Sequence, residues 1–400
     1  MKYMRSFSFI FTLILASSFA IPTVSTYKPK NPPMVVMAYY VPEKEYHPEE
    51  LPLDQLTHII FSFTKVIDNK MQFSNEENGE KLRQLVAQRK KHPHLKVMVA
   101  CGGWGADGFS DMVTTTENRK KFVQSVVDFN AEYNLDGLDI DWEYPAIPAA
   151  GTGARPEDKQ NFTLLMKELR EALDTLEREQ TLTFASAGWK RYYENVELDK
   201  VMPYVDYMNI MTYDQVGGNS PYTGHHTALG WIQEKDIAGT PAAAFMEKWK
   251  QERNDGRDYG PRSAEKIVAF CLDQGVKPEQ LVIGAAFYGR AWKGVPPENN
   301  GIYQTNSGAH IGWAAYRNIR SEFEQDKNYA RYWDSIAKAP FLYSAKDSIL
   351  ISYDDTVSVR MKTEYALKKK LGGIMFWQLG NDTKEKNSLL KAMYDAAIKN

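Results

Sequence analysis

Eight short runs rich in β-branched and aromatic residues alternate with longer stretches of helical period along most of this chain. The runs cover residues 34–40, 57–64, 95–101, 135–142, 181–187, 204–211, 281–287 and 372–378. Short apolar runs divided by amphipathic stretches read as βα units, because parallel neighbours in a sheet must be joined by a crossover, usually a helix. Eight units predict an α/β fold of one architecture, a (β/α)8 TIM barrel, which needs about 250 residues. The chain has 400. Its surplus falls in the two longest intervals, before the seventh and eighth runs. The second holds 302–303, 329–333 and 341–352, short aromatic-rich pieces. Residues 291–351 are therefore expected to form a small α+β insertion between strand seven and the following helix, within a barrel spanning 34–400.

Helices are expected near 117–133, 263–274, 356–370 and 384–399. The clearest opens at Pro156, a good first-turn residue, and puts Phe162, Leu165, Met166, Leu169, Leu173 and Leu176 on one face. Asp355 is a predicted N-cap, and Gly372 or Gly373 the stop of the helix that it opens.

Residues 1–20 carry the three parts of an export signal: Lys2 and Arg5, an apolar stretch from Phe7 to Ala16, and Ser18-Phe19-Ala20 as a small-x-small cleavage site. The apolar stretch is too short to span a hydrocarbon core of about 30 Å as a helix. Residues 21–33, polar and Pro-rich, are expected to be a linker. Cleavage near Ala20 would leave a secreted, extracellular or periplasmic, monomeric protein with no membrane attachment.

Composition narrows the chemistry. With 49 basic and 51 acidic residues and a net charge of -2, nothing suggests a nucleic-acid partner. Two cysteines make no disulfide framework, and Cys101 and Cys271 are expected to be buried as small hydrophobes. Adjacent His225 and His226 point apart and have no evident third ligand, so no metal or other cofactor is expected. What remains is an aromatic content of 12%.

The run Asp136-Gly-Leu-Asp-Ile-Asp-Trp-Glu143 concentrates the chemistry. Alternate strand residues share a face, so Asp139, Asp141 and Glu143 point one way and Leu138, Ile140 and Trp142 the other. In a barrel the apolar set meets the helices, while the carboxylates rise inside toward the C-terminal mouth, where barrel active sites lie. Buried carboxylates this close cannot all ionise cheaply, and at least one pKa must rise, as a general acid near neutral pH requires. Asp136 has the other parity and is expected to be structural.

Asp136-x-x-Asp139-x-Asp141-x-Glu143, continued by Tyr144-Pro145, resembles the signature of the family 18 glycoside hydrolases, the chitinases and their relatives. The resemblance extends through Ala38-Tyr39-Tyr40, Phe61-Ser62-Phe63, Gly102-Gly103-Trp104, Met211-Thr212-Tyr213-Asp214, Phe287-Tyr288-Gly289-Arg290, Ser352-Tyr353-Asp354-Asp355 and Trp377. It implies a retaining chitinase acting on chitin or N-acetylglucosamine oligosaccharides, in which the substrate's own N-acetyl oxygen is the nucleophile. Glu143 would be the acid/base, Asp141 would orient the acetamido group after releasing Asp139, and Tyr213 would hold the acetamido carbonyl. Tyr39 would support the aspartate pair, Asp214 and Arg290 would bind sugar and cleft wall, and Trp377 would be the floor. Phe63, Gly103, Trp104, Tyr144, Met211 and Tyr288 would complete the binding site, with Trp231 and Trp292 as further candidates. One departure is Ala100, where many members carry a serine bonded to the inner aspartate. The same motif also fits an endo-β-N-acetylglucosaminidase acting on N-glycans and, if catalysis is lost, a chitin-binding lectin.

Overall fold

The computed structural model of the protein describes residues 32–42 and 47–399, with backbone alone at 311–313. The expected export signal and all but the last two residues of the expected linker lie outside the described residues. Each of the eight runs forms a strand: β1 (Val35–Tyr40), β2 (His58–Ile67), β4 (Lys96–Gly102), β5 (Gly137–Asp141), β6 (Thr181–Ala187), β7 (Tyr207–Met211), β8 (Leu281–Ala286) and β14 (Gly373–Trp377). They pair in parallel in the order β1-β14-β8-β7-β6-β5-β4-β2, and the β1–β2 pairing closes the barrel. A short strand β3 (Lys70–Gln72) folds back antiparallel on the end of β2.

Val35, Met37, Tyr39, Ile60, Met98, Ala100, Val282 and Met375 fill the barrel interior, each from the inward parity of its strand. The opposite parity faces the helices. Leu138, Ile140 and Trp142 pack there as expected, with Trp142 stacked on Phe109 at 5.3 Å between ring centroids. Cys101 and Cys271 are buried, and burial pushes both thiols up to about 12. One strand breaks the alternation. The β2–β4 register shifts between Ser62 and Thr64, a bulge that turns Phe63 onto the interior side although Ile60 already faces inward.

Helix ends differ from expectation in three places. The helix expected to open at Pro156 runs Asp158–Leu173. Its start is set by Asp158, whose carboxylate accepts from Ser110 Oγ, Arg155 N and Ala146 N and so anchors the preceding loop. Leu176 lies past its end. The helix capped by Asp355 runs Thr356–Lys368, and the left-handed residue that stops it is Lys370, not a glycine. Gly373 answers to a different constraint, since a Cβ there would lie 2.1 Å from Val35 O on the neighbouring strand. The last helix is Leu389–Ile398, shorter than expected because Asp382 accepts from the amides of Leu389 and Leu390 and fixes the entry.

A second, antiparallel sheet follows β8 after a single residue. Its strands are β9 (Tyr288–Lys293), β10 (Ala309–Ala315), β11 (Ala330–Asp334), β12 (Ala339–Ser344) and β13 (Ile349–Ser352), in the order β10-β9-β13-β12-β11. The sheet occupies 288–352, so the segment expected at 291–351 starts three residues too late. Trp292 is fully buried in the sheet's own core with Val295, Phe341, Tyr343 and Leu350, and is therefore not a cleft residue. Trp231 is exposed but does not line the cleft.

Candidate active site

The carboxylate row lies on and just beyond β5. Asp139 is deepest, with no exposure, followed by Asp141 and Glu143 toward the mouth. Asp136, at the opposite end of the strand, pairs with Arg89 and Arg178 at 2.8 Å each and accepts from Val97 N. It is structural, as its parity implies.

Three donors surround Asp139: Thr183 Oγ1 at 2.5 Å, Tyr39 Oη at 3.0 Å and Asn209 Nδ2 at 3.1 Å. They come from β6, β1 and β7, all on the inward parity. The strand partner of Asp139 is Ala100, which offers no hydroxyl, and these donors take up the task. Burial nevertheless raises the Asp139 carboxyl to about 6, against the opposing pull of its hydrogen bonds. Asp141 is raised well above the usual carboxylate range by burial and by Glu143 and Asp139 on either side. Its Oδ1 is buried and has no hydrogen-bond partner among the described residues. Burial raises Glu143 to about 7, with a hydrogen bond to Tyr144 pulling the other way.

The mouth opens into a cavity of about 920 Å³ lined by Tyr39, Phe63, Lys65, Trp104, Asp141, Glu143, Met211, Tyr213, Asp214, Tyr288, Arg290 and Trp377 among others. Phe63 stacks on Trp377 at 5.5 Å and 20°, and Tyr39 packs on the same indole at 5.8 Å. Gly103 clears room for this floor, because a Cβ there would lie 2.8 Å from the Phe63 ring. Gly284 does the same for Tyr213, whose ring would lie 2.7 Å from an added Cβ. Non-proline cis peptides lie at Ser62–Phe63, Glu143–Tyr144 and Trp377–Gln378.

One wall is a polar relay. Asp214 accepts from Arg290 Nε at 2.7 Å and Tyr288 Oη at 2.8 Å, and His226 Nδ1 lies 3.7 Å away. Burial works against the Asp214 charge, but His226 and Arg290 hold its carboxyl below the ordinary range. His225 turns the other way, to Asp334 at 3.1 Å. The other wall is aromatic: Trp104, 66% exposed, meets Tyr144 edge-on at 6.4 Å, and Tyr144 meets Trp189 at 5.3 Å. Trp104 is the lining residue of this wall, Tyr144 carries it back to Trp189, and Gly103 lies behind the Phe63 ring.

Thr183, Asn209, Lys65 and Trp189 join this site although no motif marks them. For Thr183 and Asn209 a signal existed: both are polar residues on the inward parity of strands otherwise filled by apolar or small side chains.

A closed parallel barrel with a buried acidic row at its C-terminal mouth, over an aromatic floor, defines a glycoside hydrolase. The chain belongs to the glycosyl hydrolases family 18, whose family model matches residues 35–382. It is 38% identical to Chitinase A1 of Niallia circulans over 75% of this chain, and spans only 42% of that relative's length. It is 31% identical to Chitinase B of Serratia marcescens over 85% of this chain and 75% of the relative. Among solved structures, a glycoside hydrolase family 18 N-acetylglucosaminidase from Paenibacillus barengoltzii aligns with a TM-score of 0.79 at 36% identity, covering 91% of this chain and 99% of that one.

Proposed function

We propose that the protein is an exported, monomeric retaining chitinase that hydrolyses β-1,4-linked N-acetylglucosamine polymers with assistance from the substrate's acetamido group. The observation that carries this reading is the buried, unpartnered Oδ1 of Asp141, set between Asp139 and Glu143 at a mouth also lined by Tyr213. An acceptor so placed suits an amide N–H, which a free carboxylate nucleophile would not need.

Glu143, whose carboxyl is raised to about 7, gives its proton to the glycosidic oxygen as the C1–O bond breaks. The acetamido oxygen forms the new bond to C1 from the opposite face, giving an oxazolinium ion. Asp141 accepts the acetamido N–H and balances the positive charge, while Asp139 takes the proton that the pair shares. The Tyr213 hydroxyl donates to the acetamido oxygen and holds it beneath C1. Glu143, now a carboxylate, takes a proton from water as that water attacks C1 and the bond from C1 to the acetamido oxygen breaks, its electron pair restoring the neutral acetamide, and two inversions leave the β anomer. Trp377 and Phe63 present apolar faces to the C–H face of the sugar. Chitin is uncharged, and stacking with hydrogen bonds would bind it with little dependence on salt. No metal or other cofactor enters these steps.

Time-resolved NMR of chitin oligomer hydrolysis tests the reading. The first product should be the β anomer, and sugars lacking the N-acetyl group should not be cleaved. An initial α anomer would overturn it. A second reading, release of single N-acetylglucosamine units, is favoured by the near full-length match to a solved N-acetylglucosaminidase. Early products from a chitin hexamer separate the two: monomer alone supports the second reading, and dimers or trimers the first.

A further inference from the structure

Lys65 is a cleft cation that the steps above leave unused. It follows Phe63 by two residues on β2, past the bulge that turns Phe63 inward, so both side chains reach the mouth. Its ammonium donates to Gly102 O at 2.6 Å and lies 5.2 Å from the Phe63 ring centroid. Gly102 is the strand partner of Asp141, whose carbonyl accepts from Gly103 N at 2.9 Å. The ammonium is thus tied to the strand end beside the carboxylate row. A lysine at a rim ordinarily extends into water. This one is half-buried and folds back along the cleft instead.

The charged and titratable groups around it are known from each side. Asp141 at the end of β5 and Glu143 just beyond it face the ammonium, and Cys101 on β4 is a neutral thiol. Farther across the cleft, Arg290 is already paired with Asp214. Tyr39, Tyr144 and Tyr213 are all held in their neutral phenol form, their hydroxyls raised by burial.

We propose that Lys65 is a positioning residue that fixes one positive charge beside the Asp141–Glu143 pair and thereby sets the pH range over which the row loses its protons. The inference deepens the functional reading and rests on it. Burial and mutual repulsion push both carboxyls up, while Lys65 acts on each in the opposite direction. Removing its charge lets both rise, so both limbs of the pH profile move to higher pH.

Two variants separate charge from hydrogen bonding. Lys65→Gln keeps an N–H for Gly102 O without the charge, and Lys65→Arg keeps both. For Lys65→Gln we expect both limbs of kcat/KM on chitin oligomers to move up by about half to one pH unit, with Lys65→Arg matching wild type. A carbon-13 NMR titration of the glutamate carboxyls reads the Glu143 midpoint without turnover and should show the same upward move. Unmoved midpoints in Lys65→Gln, or equal shifts in both variants, would overturn the proposal. Were the wild-type enzyme inactive on chitin, the functional reading would fail while this titration still decided the role of Lys65.

Discussion

Thr183 donates its hydroxyl to Asp139 Oδ1 at 2.5 Å, directly across the β5–β6 pair, where the two residues are register partners. The bond stands in for the serine absent at position 100 and opposes the rise of the Asp139 carboxyl. Thr183→Val keeps the shape and removes the donor. Losing one partner of a buried carboxylate should cost about 1–3 kcal/mol at pH 8, measured by urea unfolding. The cost should shrink at pH 5, where Asp139 is protonated. kcat should fall on the order of tenfold with little change in KM, since the aspartate pair acts on the transition state.

Stability should itself depend on pH through the acidic row. Asp139 and Glu143 are raised to about 6 and about 7 in the fold. Raised carboxyls bind protons more tightly folded than unfolded, so their contribution is complete below the unfolded values near 4 and is lost as pH climbs through the folded ones. The urea midpoint should therefore decline between about pH 4 and 7. In a Glu143→Gln, Asp139→Asn double variant that decline should flatten; a slope equal to wild type would place its origin elsewhere.

Glu143→Gln should keep oligosaccharide binding within a few-fold by calorimetry and lower turnover by roughly 10²–10⁴-fold, the usual range for a positioned acid/base. Turnover within tenfold of wild type would assign the acid to another group.

The parts of this molecule legible in the sequence are those governed by a fixed period. Eight strands and the shared face of Asp139, Asp141 and Glu143 follow from alternation alone, and the stacked Trp142–Phe109 pair lies where the other parity predicts. Which inward residues become neighbours across strands is a matter of register, so Thr183 and Asn209 are read as core polar residues until the pairing is seen. A bulge overrides parity, and it is what carries Phe63 and Lys65 into the cleft. The two tryptophans weighed as sugar platforms fail for opposite reasons. Trp292 supplies the core of the second sheet, and Trp231 stands on the surface and is not among the cleft-lining residues. Of the three, only Trp377 lies within one of the eight strand-forming runs, and that position sets it apart in the sequence.

A buried ion pair behind β8 offers a further test. Lys362 Nζ meets Asp354 Oδ2 at 2.6 Å, both without exposure, and the same oxygen accepts from Thr227 Oγ1 and from Ala286 N at the end of β8. Lys362→Met leaves the carboxylate buried without its counter-charge. We expect a loss of about 3–5 kcal/mol in chemical denaturation; a change below 1 kcal/mol would mean the pair contributes little.

Tyr288 and Arg290, which brace Asp214, sit on β9, and only Phe287 separates that strand from the end of β8. The second sheet is consequently not a detachable module. Excising 288–352 to make a minimal barrel would remove the partners of a cleft carboxylate along with the wall, and grafting another sheet would exchange the electrostatics of the site as well as its depth. Of the described residues of the second sheet only Tyr288 and Arg290 line the cleft, so β9 is the strand through which that sheet acts on the chemistry.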